Sequence, residues 1–209
     1  STCATYGVPS HELIPINETC PQNPINPYGR SKLMIEQIIT DYGRAYGLPS
    51  VIFRYFNAAG ADPLGGLGEY HEPETHLIPL AIQAALENHS NFRLFGNDYP
   101  TPDGSCIRDY IHVCDFAEAH VLGLEKVLKT RKQHIYNLGS GIGYSVLDII
   151  AVIEKISGKQ VRYTIADRRE GDPSILIASS EKAHKELGWS PAFADINTII
   201  NDAYNWHAS

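Results

Sequence analysis

The stretch Asn26-Pro27-Tyr28-Gly29-Arg30-Ser31-Lys32 decides the local fold, because it carries the signals that begin a helix. Asn26 is a preferred N-cap residue, and Pro27 is favoured in the first turn. An apolar stripe follows at helical spacing, formed by Met34, Ile35, Ile38, Ile39 and Tyr42. The sequence therefore predicts an amphipathic helix over about 27–46.

A strand is predicted directly after this helix. Gly47 ends the helix, and the segment Val51-Ile52-Phe53-Arg54-Tyr55-Phe56 is rich in β-branched and aromatic residues. Residues 57–60 are predicted as the loop that ends the strand. A helix joined to a strand by a short connection is an α/β unit, and strands alternate with helices nearly throughout the chain. The predicted fold class is therefore α/β.

Tyr28 and Lys32 are candidate catalytic residues. Four residues are about one helical turn, so the phenol and the ammonium lie on one face of the predicted helix. A cation a few ångströms from a phenol favours its phenolate form. A tyrosine so placed can act as a general base toward a hydroxyl group.

Composition excludes several classes of function. The 209 residues are 43% hydrophobic and 20% charged, as in a globular domain with a proper core, and they contain no apolar run long enough to cross a bilayer. The net charge is −7, and no basic block is longer than Arg168-Arg169, so we expect neither nucleic acid nor a membrane as a partner.

Cysteines and histidines give no sign of a disulfide framework or a metal. The four cysteines have no CxxC spacing, so we expect reduced thiols in a cytoplasmic protein. The nine histidines have no HExxH pattern, so we expect no metal site. The chain opens at Ser1, without an initiator Met, in what looks like the end of a buried strand, which suggests that residues precede it.

The rest of the chain alternates between helix and strand signals. Residues 62–75 are rich in Gly, Pro, Glu and His, which predicts a long surface loop and a boundary between lobes. Helices are expected over about 77–86, 115–129, 146–156 and 181–187, and from 196 onward with Ile196, Ile199, Ile200 and Ala203 buried. Strands are expected at 92–96, 108–113, 135–138 and 161–165.

The segment Gly139-Ser140-Gly141-Ile142-Gly143 resembles a dinucleotide-binding loop, but its spacing differs. The fingerprint needs its third glycine three positions after the second, and Tyr144 stands there. The pair Ser145 and Asp148 has the spacing of a capping box. We therefore predict a tight turn into a capped helix at this point.

Eight segments together resemble one family in content and order. They are Thr2-Cys3-Ala4-Thr5-Tyr6-Gly7, 26–32 as quoted above, Arg54-Tyr55-Phe56-Asn57, Phe95-Gly96-Asn97-Asp98-Tyr99, Asp103-Gly104, Arg108-Asp109-Tyr110-Ile111-His112-Val113, Tyr136-Asn137-Leu138-Gly139 and Arg168-Arg169-Glu170-Gly171-Asp172. On these motifs the chain resembles the UDP-glucose 4-epimerases, which are extended short-chain dehydrogenases/reductases. The resemblance runs from the first residue to about Asp172, and the remainder is compatible with it.

The resemblance implies NAD-dependent epimerisation of UDP-glucose and UDP-galactose through a transient 4-keto sugar, in nucleotide-sugar and galactose metabolism. It implies that Tyr28 takes the proton of the sugar 4-hydroxyl while hydride passes to NAD. Lys32 tunes Tyr28 and holds the nicotinamide ribose, and Thr2 bridges Tyr28 and the reacting oxygen. Tyr55 lines the nicotinamide.

The resemblance also implies a set of contacts to the UDP-sugar. Arg108 and Arg169 occupy the positions that anchor the diphosphate, a role that suits bidentate guanidinium groups. Asp172 accepts ribose hydroxyls, and Asn57 contacts phosphate or sugar at the carboxyl end of a strand.

Two further implied contacts and two departures concern the same site. Phe95 lies against the uracil, and Leu77 offers a backbone N–H to phosphate. His76 stands where some members carry an asparagine that touches the sugar. Leu176 stands at the position that sets pocket width, where its intermediate size leaves hexoses and N-acetyl sugars both open.

The family resemblance implies two structural parts. Residues 1–60 form the remaining edge of a Rossmann-like NAD-binding domain, and 61–209 form mainly a smaller, mixed α/β UDP-sugar lobe, with 108–130 packing back on the first part. The family's glycine-rich coenzyme loop has no counterpart in the motifs above. We therefore expect residues 1–209 alone to be inactive, and the full-length protein to be a homodimer.

Three alternatives remain open. UDP-xylose/UDP-arabinose 4-epimerases share the opening segment 2–7. Nucleotide-sugar 4,6-dehydratases fit less well, because they need an Asp-Glu pair where this chain has Cys3-Ala4. A third alternative is a nucleotide-sugar-binding protein without catalysis.

Overall fold

The first helix forms where the sequence predicts it. The computed structural model describes residues 1–64, 66–87 and 92–209. Within it α1 spans Pro27–Tyr46, the side chain of Asn26 accepts the N–H of Gly29 at 2.8 Å, and Gly47 ends the helix with a φ of 66°. A positive φ suits glycine, which has no Cβ. The predicted bounds, cap and stop are confirmed.

The exposure of the α1 stripe differs from what its spacing suggested. Met34, Ile35, Ile38 and Tyr42 are all about half exposed, and the buried residues of the helix are Gly29 and Glu36. An apolar stripe is buried only where another surface covers it. In the described residues, α1 meets β1 (Ser50–Tyr55) through the Glu36 side of the helix.

The first sheet is a parallel pair of β1 and β5 (Gln133–Leu138), with Ser50 opposite Gln133 and Tyr55 opposite Leu138. Helices α3 (Val113–Thr130) and α5 (Glu181–Leu187) lie against this pair. Their shared core includes Phe53, Ala119, Tyr136 and the fully buried Trp189.

The second sheet joins four short strands. β4 (Ile107–His112) pairs in parallel with β2 (Asn57–Ala59) and β8 (Ile175–Leu176), and antiparallel with β6 (Gly143–Ser145). The sequence predicted 57–60 as a loop, which is wrong for 57–59. These residues contain no β-branched side chain, which would favour a strand. They form a strand because they pair in parallel with β4.

The remaining elements build the largest core. Strands β3 (Arg93–Phe95) and β7 (Thr164–Ala166) pair in parallel. Helices α2 (Leu77–Leu86), α4 (Val146–Ser157) and α6 (Ile196–Ala208) pack together beside them. The four residues predicted on the inner face of α6 are buried, as expected. The mixed α/β class is confirmed, and none of the described helices is long and apolar enough to span a membrane.

The glycine-rich segment turns and leads to a capped helix as predicted, but Gly143 begins the short strand β6, which pairs with β4 and lies between the turn and α4. Ser145 and Asp148 form a complete capping box. The N–H groups of Ser140 and Gly141 donate to the carboxylate of Asp109 at 2.7 and 3.0 Å. These N–H groups are therefore satisfied by the protein itself rather than left to cradle a phosphate.

The predicted division near residue 60 stays a prediction. The described structure shows that β5 and α5, from later in the chain, lie with β1, and that α3 packs on β1 as well.

Candidate active site

One open cleft brings the predicted site residues together. It has a volume of about 1720 Å³ and is lined by residues at the carboxyl end of β1, along β4, and at the beginnings of α1 and α2. Eleven of the twelve predicted residues line it, namely Thr2, Tyr28, Tyr55, Asn57, His76, Leu77, Phe95, Arg108, Arg169, Asp172 and Leu176. Lys32 lies outside the wall, one turn along α1 from Tyr28. A single small ligand occupies about 300–1000 Å³, so this cleft has room for more than one.

Tyr28 and Lys32 are neighbours, as their spacing predicted. The Lys32 ammonium lies 5.7 Å from the centroid of the Tyr28 ring. Tyr28 is 51% exposed at the cleft, where its hydroxyl contacts that of Tyr55. Burial raises the pKa of Tyr55, and the contact with Tyr28 adds to the rise. Tyr55 is therefore a neutral hydrogen-bonding partner beside Tyr28 at neutral pH.

Thr2 is buried beside this pair. Its backbone forms an isolated parallel β-bridge with Tyr55. Its hydroxyl accepts the N–H of Ala4 at 3.2 Å and so caps the short 3₁₀ turn Cys3–Tyr6. The hydroxyl proton is free of this bond, because the hydroxyl is the acceptor in it. Next to it, burial raises the pKa of Cys3 to about 11, which keeps this thiol uncharged near neutral pH.

A buried ion pair holds α1 against β1 beneath these residues. The Arg54 guanidinium donates to both carboxylate oxygens of Glu36, at 2.7 and 3.1 Å, and each side chain is 5% exposed. Arg54 also donates to the Tyr6 hydroxyl at 3.0 Å, and Gln22 donates to Glu36 at 3.0 Å. Glu36 is one turn beyond Lys32, so this network fixes the helix that carries both candidate catalytic residues.

Two arginines form another part of the cleft wall. Arg108 is largely buried and forms a hydrogen-bonded ion pair with Asp172. The guanidinium of Arg169 lies 4.0 Å from the centroid of the Phe95 ring. The residue predicted for the ribose, Asp172, therefore pairs with Arg108, and the residue predicted for the base, Phe95, contacts Arg169. All four line the same cleft.

The remaining predicted residues lie in β2, in β8 and at the beginning of α2. The amide nitrogen of Asn57 donates to the carbonyl oxygen of Asp109 at 2.8 Å. Leu77 begins α2, and His76 gives this helix no side-chain cap, so the first N–H groups of α2 are not satisfied by its N-cap side chain. Leu176 is buried and lies opposite Arg108 in the register of β4 and β8.

Several lining residues were not predicted from the sequence. Glu69 and Glu74 come from the long loop, and His207 comes from the last turn of α6. The composition of the loop was visible as a run of Glu and His, but its direction toward the cleft was not. No sequence signal links His207 to this region, because α6 reaches it only through packing.

Comparisons with known proteins agree with this architecture. The model of the NAD dependent epimerase/dehydratase family matches residues 1–139. The UDP-glucose 4-epimerase of Rhizobium meliloti (strain 1021) is 50% identical over 208 residues, which cover 100% of this chain and 62% of that protein. The chain therefore spans about 62% of the length of this curated relative.

Two solved structures have the same fold. The UDP-glucose 4-epimerase from Brucella ovis in complex with NAD has a TM-score of 0.92 and 48% identity, covering 99% of this chain and 63% of that one. The enzyme from Bifidobacterium longum in complex with NAD+ and UDP has a TM-score of 0.92 and 39% identity, covering 100% of this chain and 62% of that one.

Proposed function

The chain belongs to the NAD dependent epimerase/dehydratase family, and from this premise we propose that it takes part in the NAD-dependent interconversion of UDP-glucose and UDP-galactose. The observation that carries the proposal is the convergence of eleven predicted residues on one cleft. Relatives that are about 50% identical along the whole chain and are named UDP-glucose 4-epimerase support it.

The cleft fits the reactive end of NAD. Tyr28 and Tyr55 line the cleft, Lys32 lies one turn along α1 from Tyr28, and the Tyr55 ring packs edge to face on Phe116 with ring centroids 4.7 Å apart. In this proposal Lys32 and Tyr28 hold the nicotinamide ribose and Tyr55 lines the ring. NAD, when bound, supplies the hydride acceptor for C4 of the sugar and returns the hydride in the second half of the reaction.

The chain's own residues then handle the proton. Tyr28 takes the proton of the 4-hydroxyl through its phenolate oxygen, Thr2 bridges the two oxygens, and the sugar becomes a 4-ketone. After the sugar turns over, Tyr28 returns the proton to the oxygen on C4, so that no proton is gained or lost over the cycle.

The diphosphate must stay fixed while the sugar turns. We propose that Arg108 and Arg169 hold it, with the first N–H groups of α2 from Leu77 as further donors. Asn57 and His76 contact the sugar side, Asp172 accepts the ribose hydroxyls, Phe95 stacks on the uracil, and Leu176 limits the width of the pocket.

We further propose a cytoplasmic homodimer. The four cysteines are free thiols, which suits a reducing compartment. The exposed stripe of α1 is the kind of apolar surface that protein interfaces cover.

The test is an assay of the full-length protein with UDP-glucose, UDP-galactose, UDP-xylose and UDP-arabinose in the presence of NAD. We expect interconversion of the two hexose substrates. A protein that acts only on the pentose pair points to the sibling activity, and a protein that binds UDP without turnover of any of the four contradicts the proposal.

A further inference from the structure

A cluster of histidine and glutamate side chains lies at the mouth of the cleft, in the loop that leads into α2. The ligand atoms of His71, Glu74 and His76 all lie within 4.8 Å of one another. His76 Nδ1 is 2.8 Å from Glu74 Oε1, and His71 Nδ1 is 3.8 Å from the same oxygen. Glu69 adds a fourth group, with its Oε1 3.1 Å from His76 Nδ1.

Glu74 has the most buried side chain of this cluster. Its side chain is 8% exposed, and its Oε1 accepts the N–H groups of Thr75 at 2.6 Å and His76 at 2.7 Å. These two hydrogen bonds orient the carboxylate within the loop, as outer-shell hydrogen bonds orient a metal ligand.

The other end of the loop is anchored to α6. The indole nitrogen of Trp206 donates to the carbonyl oxygen of Glu69 at 2.8 Å. A Cβ on Gly68 would lie 2.1 Å from Trp206 Cδ2, so the backbone approaches the ring too closely for any other residue. Glu69 thus belongs to backbone that α6 holds in place.

The set of donors selects one class of ligand. Zn²⁺ is bound by imidazole nitrogens and carboxylate oxygens at about 2.0–2.2 Å, which places neighbouring ligand atoms roughly 3–4 Å apart. The separations in the cluster run from 2.8 Å to no more than 4.8 Å, a range that includes this spacing. The contacts of His76 Nδ1 at 2.8 and 3.1 Å are hydrogen-bonding distances, so a bound ion would replace the proton between His76 and these carboxylates. Ca²⁺ and Mg²⁺ prefer oxygen ligands alone.

We propose that His71, Glu74 and His76, with Glu69, form a binding site for a divalent transition-metal ion of the Zn²⁺ class. The sequence analysis expected no metal site, because the nine histidines have no HExxH pattern. Glu69, Glu74 and His76 line the cleft, so the bound ion restrains the loop at the cleft mouth. His76 is also the residue proposed above to contact the sugar, so the two proposals share one side chain. Zn²⁺ binding is measured without substrate, which makes its test independent of turnover.

The test is titration of the chelator-treated, full-length protein with ZnCl₂ by calorimetry, followed by CoCl₂ absorption spectroscopy. We expect one ion per chain, a Co²⁺ spectrum typical of nitrogen ligands, and a higher Tm with Zn²⁺, because a ligand that binds the folded state stabilises it. His71→Ala should weaken Zn²⁺ binding at least about tenfold, since even outer-shell partners contribute about 10–100-fold.

His11→Ala is the matched control, because His11 is also an exposed histidine but is not part of the cluster. It lies on the short 3₁₀ turn His11–Leu13. The His11→Ala variant should bind Zn²⁺ as the parent does. The proposal is wrong if the parent binds no Zn²⁺, if His71→Ala binds it equally well, or if Mg²⁺ binds as tightly as Zn²⁺. Glu69→Gln provides a second variant should His71→Ala prove unstable.

Discussion

Arg168 and Arg169 are adjacent in sequence but have different surroundings. Arg168 pairs with Asp98 at 2.6 Å and lies over the ring of Tyr99, whereas Arg169 lies over Phe95 and lines the cleft. The two residues therefore form a matched pair for testing the proposed diphosphate contact, since both carry the same charge on the same loop.

We expect Arg169→Ala to weaken UDP binding by about 1.5–3 kcal/mol, the scale of a hydrogen bond to a charged group. This corresponds to about a 10- to 150-fold rise in Kd, measured by calorimetry on the full-length protein. Arg168→Ala should change the Kd little. Equal effects of the two variants would show that only the general positive charge matters.

Arg108→Ala should weaken UDP binding by at least as much. Its partner Asp172 then loses its ion pair in a partly buried position, so we also expect a lower Tm. Calorimetry and thermal unfolding of the same sample separate the two effects. A variant with normal UDP affinity would remove Arg108 from the proposed site.

Tyr28→Phe should reduce turnover far more than it weakens UDP-sugar binding. The substitution removes the proton acceptor needed in the transition state and leaves the arginines intact. The kcat and the Kd for UDP-galactose are measured on the full-length protein, with Tyr42→Phe, an exposed tyrosine further along α1, as control. Unchanged turnover in Tyr28→Phe would falsify its role as the base.

At the scale of elements, the position of α1 depends on the buried pair of Glu36 and Arg54. Glu36 accepts from Arg54, Gln22 and Ser1, and these bonds lower its pKa although burial by itself would raise it. Because the folded-state pKa lies below the ordinary value of about 4.5, the stabilisation is present above that pH. It is lost as the pH falls through the folded-state pKa.

Glu36→Gln should therefore destabilise the fold by about 3–5 kcal/mol near neutral pH, because Arg54 is left as a buried, unpaired charge. The measurement is the free energy of unfolding by urea between pH 3 and 7, and the variant should lose part of the acid dependence of the parent. Asp41→Asn is the control, because its pair with Arg44 is well exposed and contributes little. Similar results for both variants would mean that the buried pair does not hold α1.

At the scale of the whole molecule, the exposed apolar stripe of α1 is the surface that we propose for the dimer contact. We expect Ile38→Glu to lower the association state of the full-length protein, because it places a charge in the apolar surface proposed for the dimer. Sedimentation velocity measures this, with Leu64→Glu as control, since Leu64 is an exposed leucine in a loop outside α1. A dimer that persists in Ile38→Glu at micromolar concentration would place the interface elsewhere.

The sequence by itself determined the helices and most strands, and it predicted a set of candidate site residues. The caps at Asn26 and Ser145 and the stop at Gly47 act within one turn of the chain, so their consequences could be predicted from neighbours alone. The site residues were recognised because ordered motifs carry them, and packing then placed eleven of the twelve around one cleft.

Only the tertiary structure decided the features that depend on contacts between distant segments. β2 becomes a strand because β4 pairs with it, and the glycine-rich turn is closed by Asp109, about thirty residues earlier in the chain. The stripe of α1 is exposed because no described part of the chain covers it. The cluster of His71, Glu74 and His76 forms because hydrogen bonds and the Trp206 anchor fold the loop back on itself. Local signals carry no information about which distant surface will meet a segment, and this meeting decides burial, pairing and the direction of side chains.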